Sequence, residues 1–334
     1  MDTANGDGGA SRKTQSIGGA FALNNNRGPG FDTVRILAAS CVVFHHSLAI
    51  KYDIVAVDHI NHFSHGYTNL GFLSVCVFFA LSGFLVTPGL IKTGDIVGYL
   101  SRRLMRIMPL LLVVVAFTAL VVGPLTSSLP IDVYYSDEAT WRYFRNLTTW
   151  LSLQLPGVAD YDGGDTINGP MWTLHYEWIC YLLLALLQFF AIVRKRQLFL
   201  TIWLVSVAVS AFVFFVDGPS EARLLRLFEL TSYFGAGALI FLYRDRLPWS
   251  WGIMALTLAL LIGALTVNLG VILAPALVAY LVVGMGMAQF PWARLLSKGD
   301  VSYGIYLTHS VVFVLIMHFM PARRQLRWPV ERRL

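Results

Sequence analysis

Two ionisable side chains, Arg35 and His46, stand eleven residues apart in the first long apolar segment, FDTVRILAASCVVFHHS. On a helix, eleven residues bring the chain back to within about 20° of its starting direction and raise it by roughly 16 Å. One face would therefore carry a guanidinium near one end and an imidazole near the other, whereas His45 would point about 100° away. Histidine is the usual general base at neutral pH, so the pair predicts proton-transfer chemistry. The alternative is an arginine that snorkels at the helix end and a hydrogen-bonded core histidine.

A carboxylate, Glu177, lies inside a later apolar segment, MWTLHYEWICYLL. It stands about six residues from the outer end of that run, as His46 does in its own segment, so both are expected roughly 9 Å below the outer boundary. At that depth a carboxylate could orient the imidazole and stabilise its protonated form. The alternative is a structural role, with Glu177 paired to Arg226 or to a tryptophan indole.

A basic loop, SRRLMRIMP, follows the second apolar segment. It carries three guanidinium groups, which suit phosphate oxygens: Arg102, Arg103 and Arg106. The alternative is that these arginines only anchor the chain at the membrane surface.

Four further residues are candidates to line the same site: Ser82, Trp172, Tyr303 and His309. Arg226 and Glu229 are spaced i, i+3 and are expected to neutralise each other. Histidines recur at intervals of three between residues 59 and 65, but neither a cysteine nor a clearly placed carboxylate completes a set of ligands, so we predict no metal site. The three cysteines show no paired spacing and are expected to be packing residues.

These groups are set in a strongly apolar chain. Hydrophobic residues make up 56% of the 334 residues and charged residues only 13%, about half the usual charged share. Nine apolar stretches approach the length of about 20 residues that crosses a bilayer as a helix. They cover residues 33–51, 68–90, 107–125, 171–193, 198–216, 223–242, 251–268, 271–288 and 301–320. The sequence thus predicts an all-α, polytopic transmembrane helix bundle of nine or ten spans.

Basic residues fall on alternate connections, which makes that side, with the N-terminus, cytoplasmic. The net charge of +6 therefore indicates membrane orientation, and no polar basic surface suggests nucleic-acid binding. The opposite side receives the acidic loop 126–170. Nine spans would place five arginines of the C-terminal segment on the outer side, against this rule, which leaves open a tenth span or a count wrong by one.

Three regions follow from the composition: a disordered cytoplasmic tail over residues 1–30, a transmembrane domain over 31–320 and a basic tail over 321–334. The tail at 1–30 is rich in glycine, asparagine and serine and lacks the continuous apolar stretch of a cleaved signal peptide.

Taken together, five motifs in order resemble the acyltransferase-3 family of membrane acyltransferases. The motifs are FDTVRILAASCVVFHH, VFFALSGFL, RRLMRIMPL, MWTLHYEWICYLL and VSYGIYLTHSVV. The resemblance extends from residue 31 to about residue 315. It maps the family's arginine and histidine, separated by ten residues, onto Arg35 and His46, and the acidic residue of its Trp-x-Leu-x-x-Glu segment onto Glu177.

The resemblance implies transfer of an acyl group, often acetyl, from cytoplasmic acyl-CoA to a hydroxyl of an extracytoplasmic glycan, a lipid-linked sugar or a similar acceptor. It implies a bacterial inner-membrane enzyme that uses acyl-CoA as co-substrate and no resident cofactor. The cytoplasmic arginines would hold the phosphates of CoA, and His46 would deprotonate the acceptor or form an acyl-histidine intermediate.

The chain departs from the family pattern in two places. Trp178 stands where a second acidic residue is common, and the usual tenth span is replaced by the arginine-rich tail. Two other classes of protein remain as alternatives. A transporter or flippase usually shows two related halves with broken helices, which this hydropathy pattern lacks. A sensory or structural membrane protein would use the same polar groups for packing alone.

Overall fold

The computed structural model describes residues 15–24, 28–49, 58–148, 150–158, 166–218, 223–292 and 301–320. In these ranges the chain is almost entirely helical, which confirms the predicted all-α class. The α-helices are α1 Ile17–Leu23, α2 Phe31–Ala49, α3 His59–Phe63, α4 Leu70–Thr93, α5 Ile96–Phe117, α6 Gly123–Thr126, α7 Ile131–Ser136, α8 Glu138–Arg142, α9 Trp172–Phe189, α10 Arg196–Asp217, α11 Arg223–Tyr243, α12 Trp251–Thr266, α13 Gly270–Met287 and α14 Ser302–Phe319.

Shorter elements complete the described chain. A π-helical segment, Thr118–Val122, joins α5 to α6. Three 3₁₀ segments cover Tyr143–Thr148, Gly169–Met171 and Ile192–Arg194. Two short strands, β1 Gln15–Ser16 and β2 Pro248–Trp249, pair antiparallel.

Each of the nine predicted spans overlaps one of the nine long helices in the described ranges. Six of them are by themselves long and apolar enough to cross a membrane: α4, α5 with its continuation to Thr126, α10, α11, α13 and α14. The helices α2, α9 and α12 are shorter or more polar. This chain is therefore a multi-pass integral membrane protein.

The basic loop expected before the third span is instead helical, because α5 begins at Ile96 rather than near residue 107. The side chain of Asp95 accepts a hydrogen bond of 2.8 Å from the backbone N–H of Gly98 and so caps the helix. All three arginines of this segment therefore lie on the first turns of α5.

Contacts between helix ends define two faces of the bundle. The first, called the basic face, joins the start of α2 to the end of α13 through Gly30 N–H and the Gly286 carbonyl at 3.0 Å. Basic residues gather at the helix ends on this face: Arg102, Arg194, Arg196, Arg244 and Arg246. On the opposite face, His65 Nε2 donates to the Thr266 carbonyl at 3.0 Å. Several charges used in the sequence-based orientation, Asp160, Asp162, Asp165, Arg294, Lys298 and the arginines of 321–334, lie outside the described residues.

Part of the predicted disordered tail is folded. Ser16 accepts a hydrogen bond of 3.0 Å from Gly19 N–H and caps α1, whose Ile17 and Phe21 are buried. Phe21 packs edge-on against Phe84 of α4, with ring centres 5.5 Å apart. Two apolar side chains at i and i+4 are enough to dock one short helix, although the composition of the whole tail indicates disorder. Residues 1–14 and 25–27 of that tail lie outside the described residues.

The short helix α7 is anchored to the π-helical segment that continues α5. A π-turn disturbs the regular i to i−4 pairing and leaves carbonyl groups that need other donors. Tyr134 and Tyr135 supply these donors, to the carbonyls of Ala119 and Leu120, each at 2.8 Å. Burial raises the pKa of Tyr134 to about 12, so its hydroxyl stays protonated and able to donate.

The centre of the bundle is the crossing of α4 with α11, where two glycines let the backbones approach. A Cβ atom placed on Gly83 would collide with the Phe234 carbonyl, and one on Gly237 would collide with the Ala80 carbonyl. Small residues at such crossings allow close helix packing in membranes, where helices gain no hydrophobic drive for association.

Gly237→Ala should lower the free energy of unfolding by about 1–3 kcal/mol, because the added methyl meets backbone rather than a side chain that can move away. The matched control is Gly89→Ala on α4, where an added Cβ meets nothing within 4 Å. Thermal unfolding in detergent should show a lower midpoint for Gly237→Ala than for the control. Equal midpoints would contradict this account of the crossing.

Candidate active site

A cavity near the basic face brings together charged and polar residues from five helices. It is partly open to the surroundings, and we call it the arginine cavity. Its polar lining comprises Arg35, Ser82, Arg106, Thr173, Glu177, Ser302, Tyr303 and Tyr306. Five of these are residues that the sequence analysis singled out: Arg35, Ser82, Arg106, Glu177 and Tyr303.

The polar groups of this cavity are held by local contacts. Arg35 forms an ion pair of 3.0 Å with Asp32, one turn earlier on α2. Glu177 accepts a hydrogen bond from the Tyr181 hydroxyl, and the Tyr303 hydroxyl donates to the Ile107 carbonyl at 3.2 Å. Two guanidinium groups and one carboxylate thus share one space, an arrangement suited to a ligand with anionic and hydrogen-bonding groups.

A second cavity lies toward the opposite face and is called the histidine cavity. It is partly open and has a polar lining of His45, His46, Asn69, Arg226 and Tyr306, with Trp172 and Phe72 as aromatic walls. Val75 of α4 and Tyr306 of α14 line both cavities. The two spaces are therefore neighbours, and the Arg35 to His46 face of α2 runs from one to the other.

His46 is held by a residue from the last described helix. Its Nδ1 lies 2.8 Å from Nε2 of His309 on α14, and the two ring planes differ by only 11°. Nδ1 of His309 in turn donates to the Tyr306 carbonyl at 2.7 Å. The sequence analysis named His309 as a possible lining residue but contained no signal for its contact with His46.

His45 corrects the sequence-based expectation, because it lines the same cavity as His46. Its Nδ1 lies 3.1 Å from a carboxylate oxygen of Asp58, and both side chains are buried. Gly71 makes room for the ring on α4, since a Cβ there would lie 2.6 Å from the imidazole. A partner on the next connecting segment attracts the ring into the site, which helical periodicity alone could not indicate.

Glu177 also lies elsewhere than expected. It lines the arginine cavity and is bonded to Tyr181, whereas His46 lines the histidine cavity. The chain enters the bundle before α9 begins, because the buried Asn168 donates from Nδ2 to the Leu307 carbonyl at 3.0 Å. Counting residues from the start of the apolar run therefore did not give the position of Glu177 relative to His46.

Arg226 and Glu229 form the ion pair that their spacing predicts, at 3.0 Å. The guanidinium also lies 4.2 Å above the ring centre of Phe72, whose ring packs against Trp172. The guanidinium of Arg226, the indole of Trp172 and the amide of Asn69 therefore lie around the two histidines. This set of groups suits a polar organic ligand.

The remaining basic candidates lie outside the arginine cavity. Arg102 is exposed near the start of α5, and Arg103 is half-buried on the same helix. Among the described residues no group of three or more histidine, cysteine, aspartate or glutamate side chains is placed to hold a metal ion.

The family model described as an acyltransferase domain matches residues 29–330. This chain belongs to the acyltransferase-3 family. It is 25% identical over 182 residues to an O-acetyl transferase of Shigella phage Sf6, which covers 54% of this chain and 51% of that protein. It is 25% identical over 333 residues to nodulation protein 10 of Rhizobium leguminosarum bv. viciae, covering 87% and 83%. The chain thus spans about half the length of the phage relative. No solved structure matches it.

The two cavities of this acyltransferase-3 protein predict unequal roles for its α5 arginines. Arg106→Gln should raise KM for the acyl donor about tenfold or more, because it removes a guanidinium from the wall of the arginine cavity. Arg102→Gln removes the same charge from a position outside the linings of both cavities and should change KM by less than about threefold. Steady-state kinetics with varied concentrations of the acyl donor measure both values, and a larger effect from Arg102→Gln would overturn this assignment.

Proposed function

We propose that this protein is an integral membrane O-acyltransferase that moves an acyl group, in the simplest case acetyl, from acyl-CoA to a hydroxyl of a carbohydrate or similar acceptor. The observation that carries the proposal is the meeting of two cavities with different chemistry at Val75 and Tyr306. One offers guanidinium groups on the basic face, and the other offers imidazoles toward the opposite face.

The arginine cavity suits the donor. The guanidinium groups of Arg35 and Arg106 match the phosphates and polar amides of CoA. We take the basic face as cytoplasmic from its charge, and the membrane as a bacterial inner membrane. Arg35 and His46 are separated by roughly 16 Å along α2, so an extended pantetheine arm would run between them toward Val75.

The histidine cavity suits the acceptor. Trp172 offers a flat apolar face of the kind that packs against a sugar ring, while Asn69 and Arg226 offer polar groups around it. The cavity lies toward the face that receives the segments 58–69 and 127–158, from which an extracytoplasmic glycan or lipid-linked sugar would approach.

In the direct transfer that we propose, His46 accepts the proton of the acceptor hydroxyl while the oxygen of that hydroxyl attacks the thioester carbonyl. A carbon–oxygen bond forms and the carbon–sulfur bond breaks, which gives the acyl ester and CoA. The proton taken up by His46 then passes to the departing thiolate sulfur. Acyl-CoA is a co-substrate in this scheme, and no resident cofactor takes part.

His46→Gln should lower kcat for acyl transfer by about 10²–10⁴-fold, since the amide cannot take up the proton. Purified protein in lipid nanodiscs would receive radiolabelled acetyl-CoA and a glycan or lipid-sugar extract, and label in the extracted acceptor would be counted. His318→Gln is the matched control, on the exposed end of α14.

Equal transfer by wild type and His46→Gln would refute the base assignment. Movement of the acceptor across a membrane by wild type without any acyl-CoA would instead show an exporter, and an inert protein with all acceptors offered would contradict the enzyme proposal.

Val75→Trp should abolish transfer while acyl-CoA still binds, because the larger side chain fills the junction of the two cavities. Val77→Trp, two residues along α4 and outside both linings, is the matched control. Binding of labelled acyl-CoA and transfer would be measured for both. Full transfer by Val75→Trp would contradict a path through this junction.

A further inference from the structure

Three groups form a hydrogen-bonded row between α14 and α2. The Tyr306 carbonyl lies 2.7 Å from His309 Nδ1, and His309 Nε2 lies 2.8 Å from His46 Nδ1. The ring centres of the two histidines are 5.0 Å apart, so the nitrogens lie between the rings. With planes within 11° of parallel, this is an edge-to-edge contact along the in-plane lone-pair direction and not a face-to-face stack.

The Tyr306 carbonyl can act only as the acceptor of its hydrogen bond with His309. A backbone carbonyl accepts hydrogen bonds and cannot donate, so His309 Nδ1 must carry the hydrogen. In a neutral imidazole the other nitrogen is then an acceptor. His46 Nδ1 must therefore carry a hydrogen to donate to His309 Nε2, which leaves the lone pair of His46 on Nε2.

We infer that His309 is a positioning residue: the Tyr306 carbonyl sets its tautomer, and His309 sets the tautomer and the ring plane of His46, so that Nε2 of His46 is the basic nitrogen. The role of this nitrogen in acyl transfer rests on the proposed function, whereas the row of hydrogen bonds does not.

This arrangement has a consequence for the proposed transfer. As His46 Nε2 takes up the hydroxyl proton, the ring becomes an imidazolium whose Nδ1–H already points at an acceptor. The growing charge is then stabilised by His309 and, behind it, by the Tyr306 carbonyl dipole, without reorganisation of either group. The proton leaves again from Nε2 to the thiolate, so the row orients the base and carries no net proton.

The direct test is ¹⁵N nuclear magnetic resonance of the full chain in nanodiscs with ¹⁵N-labelled histidine. The resonances of His46 are identified by their loss in His46→Gln. We expect a protonated Nδ1 and an unprotonated Nε2 for His46 in the wild type. A hydrogen on Nε2 of neutral His46, or a doubly protonated His309 donating to His46 Nδ1, would overturn the inference.

Two variants of His309 separate hydrogen bonding from packing. His309→Gln keeps an acceptor oxygen close to the position of Nε2 and should preserve the tautomer of His46 and most of kcat. His309→Leu removes the acceptor, so His46 should lose its single tautomer. The kcat of the His309→Leu variant should fall at least about tenfold, while its KM for acyl-CoA stays unchanged. Thermal midpoints of both variants control for folding.

The outcomes remain distinguishable from those of the proposed function. If His309→Leu leaves both the tautomer and kcat unchanged, or if His309→Gln fails as badly as His309→Leu while folded, the positioning role is wrong. If the wild type transfers no acyl group but shows the expected nitrogen spectrum, the row of hydrogen bonds stands and the proposed function fails.

Discussion

The arrangement of this bundle depends on the free-energy cost of burying ionisable groups within a bilayer, which offers them no water. Each such group needs a partner inside the protein or a polar cavity. The pairs found are Arg35 with Asp32, His45 with Asp58, Glu177 with Tyr181, Arg226 with Glu229, and His46 with His309. One member of each pair also lines one of the two cavities: Arg35, His45, Glu177, Arg226 and His46. The partners therefore both make burial tolerable and fix the orientation of the groups that could do chemistry.

The close crossing of α4 with α11 has a second effect. Because α4 is held in the middle of the bundle, its residues Val75 and Ser82 face the cavities that α2, α9 and α14 complete. In the function we propose, a water-soluble donor meets an acceptor from the other side of the membrane inside the bundle, where two polar spaces approach each other from opposite faces. The junction between them is the feature that links the architecture to the proposed chemistry.

Much of this could be predicted from the sequence because it depends on local periodicity. The apolar runs gave the nine helices, and the eleven-residue spacing of Arg35 and His46 indicated a shared stripe that passes both cavities. The contact of His46 with His309 could not be predicted, since it joins residues 263 positions apart and depends on helix tilt. Glu177 was expected beside His46 but lines the other cavity, because the segment before α9 already packs inside the bundle through Asn168. His45 was set aside on its angle alone, although Asp58 on a neighbouring segment holds it in the site.

The central claim is that donor and acceptor reach His46 from opposite faces. Sealed proteoliposomes, sorted to one orientation by the accessibility of an N-terminal tag, would receive labelled acetyl-CoA on one side and acceptor on the other. The account predicts labelled acceptor only when acetyl-CoA contacts the basic face and the acceptor contacts the opposite face. Equal labelling with the two compartments exchanged, or labelling only when both substrates share one side, would contradict it.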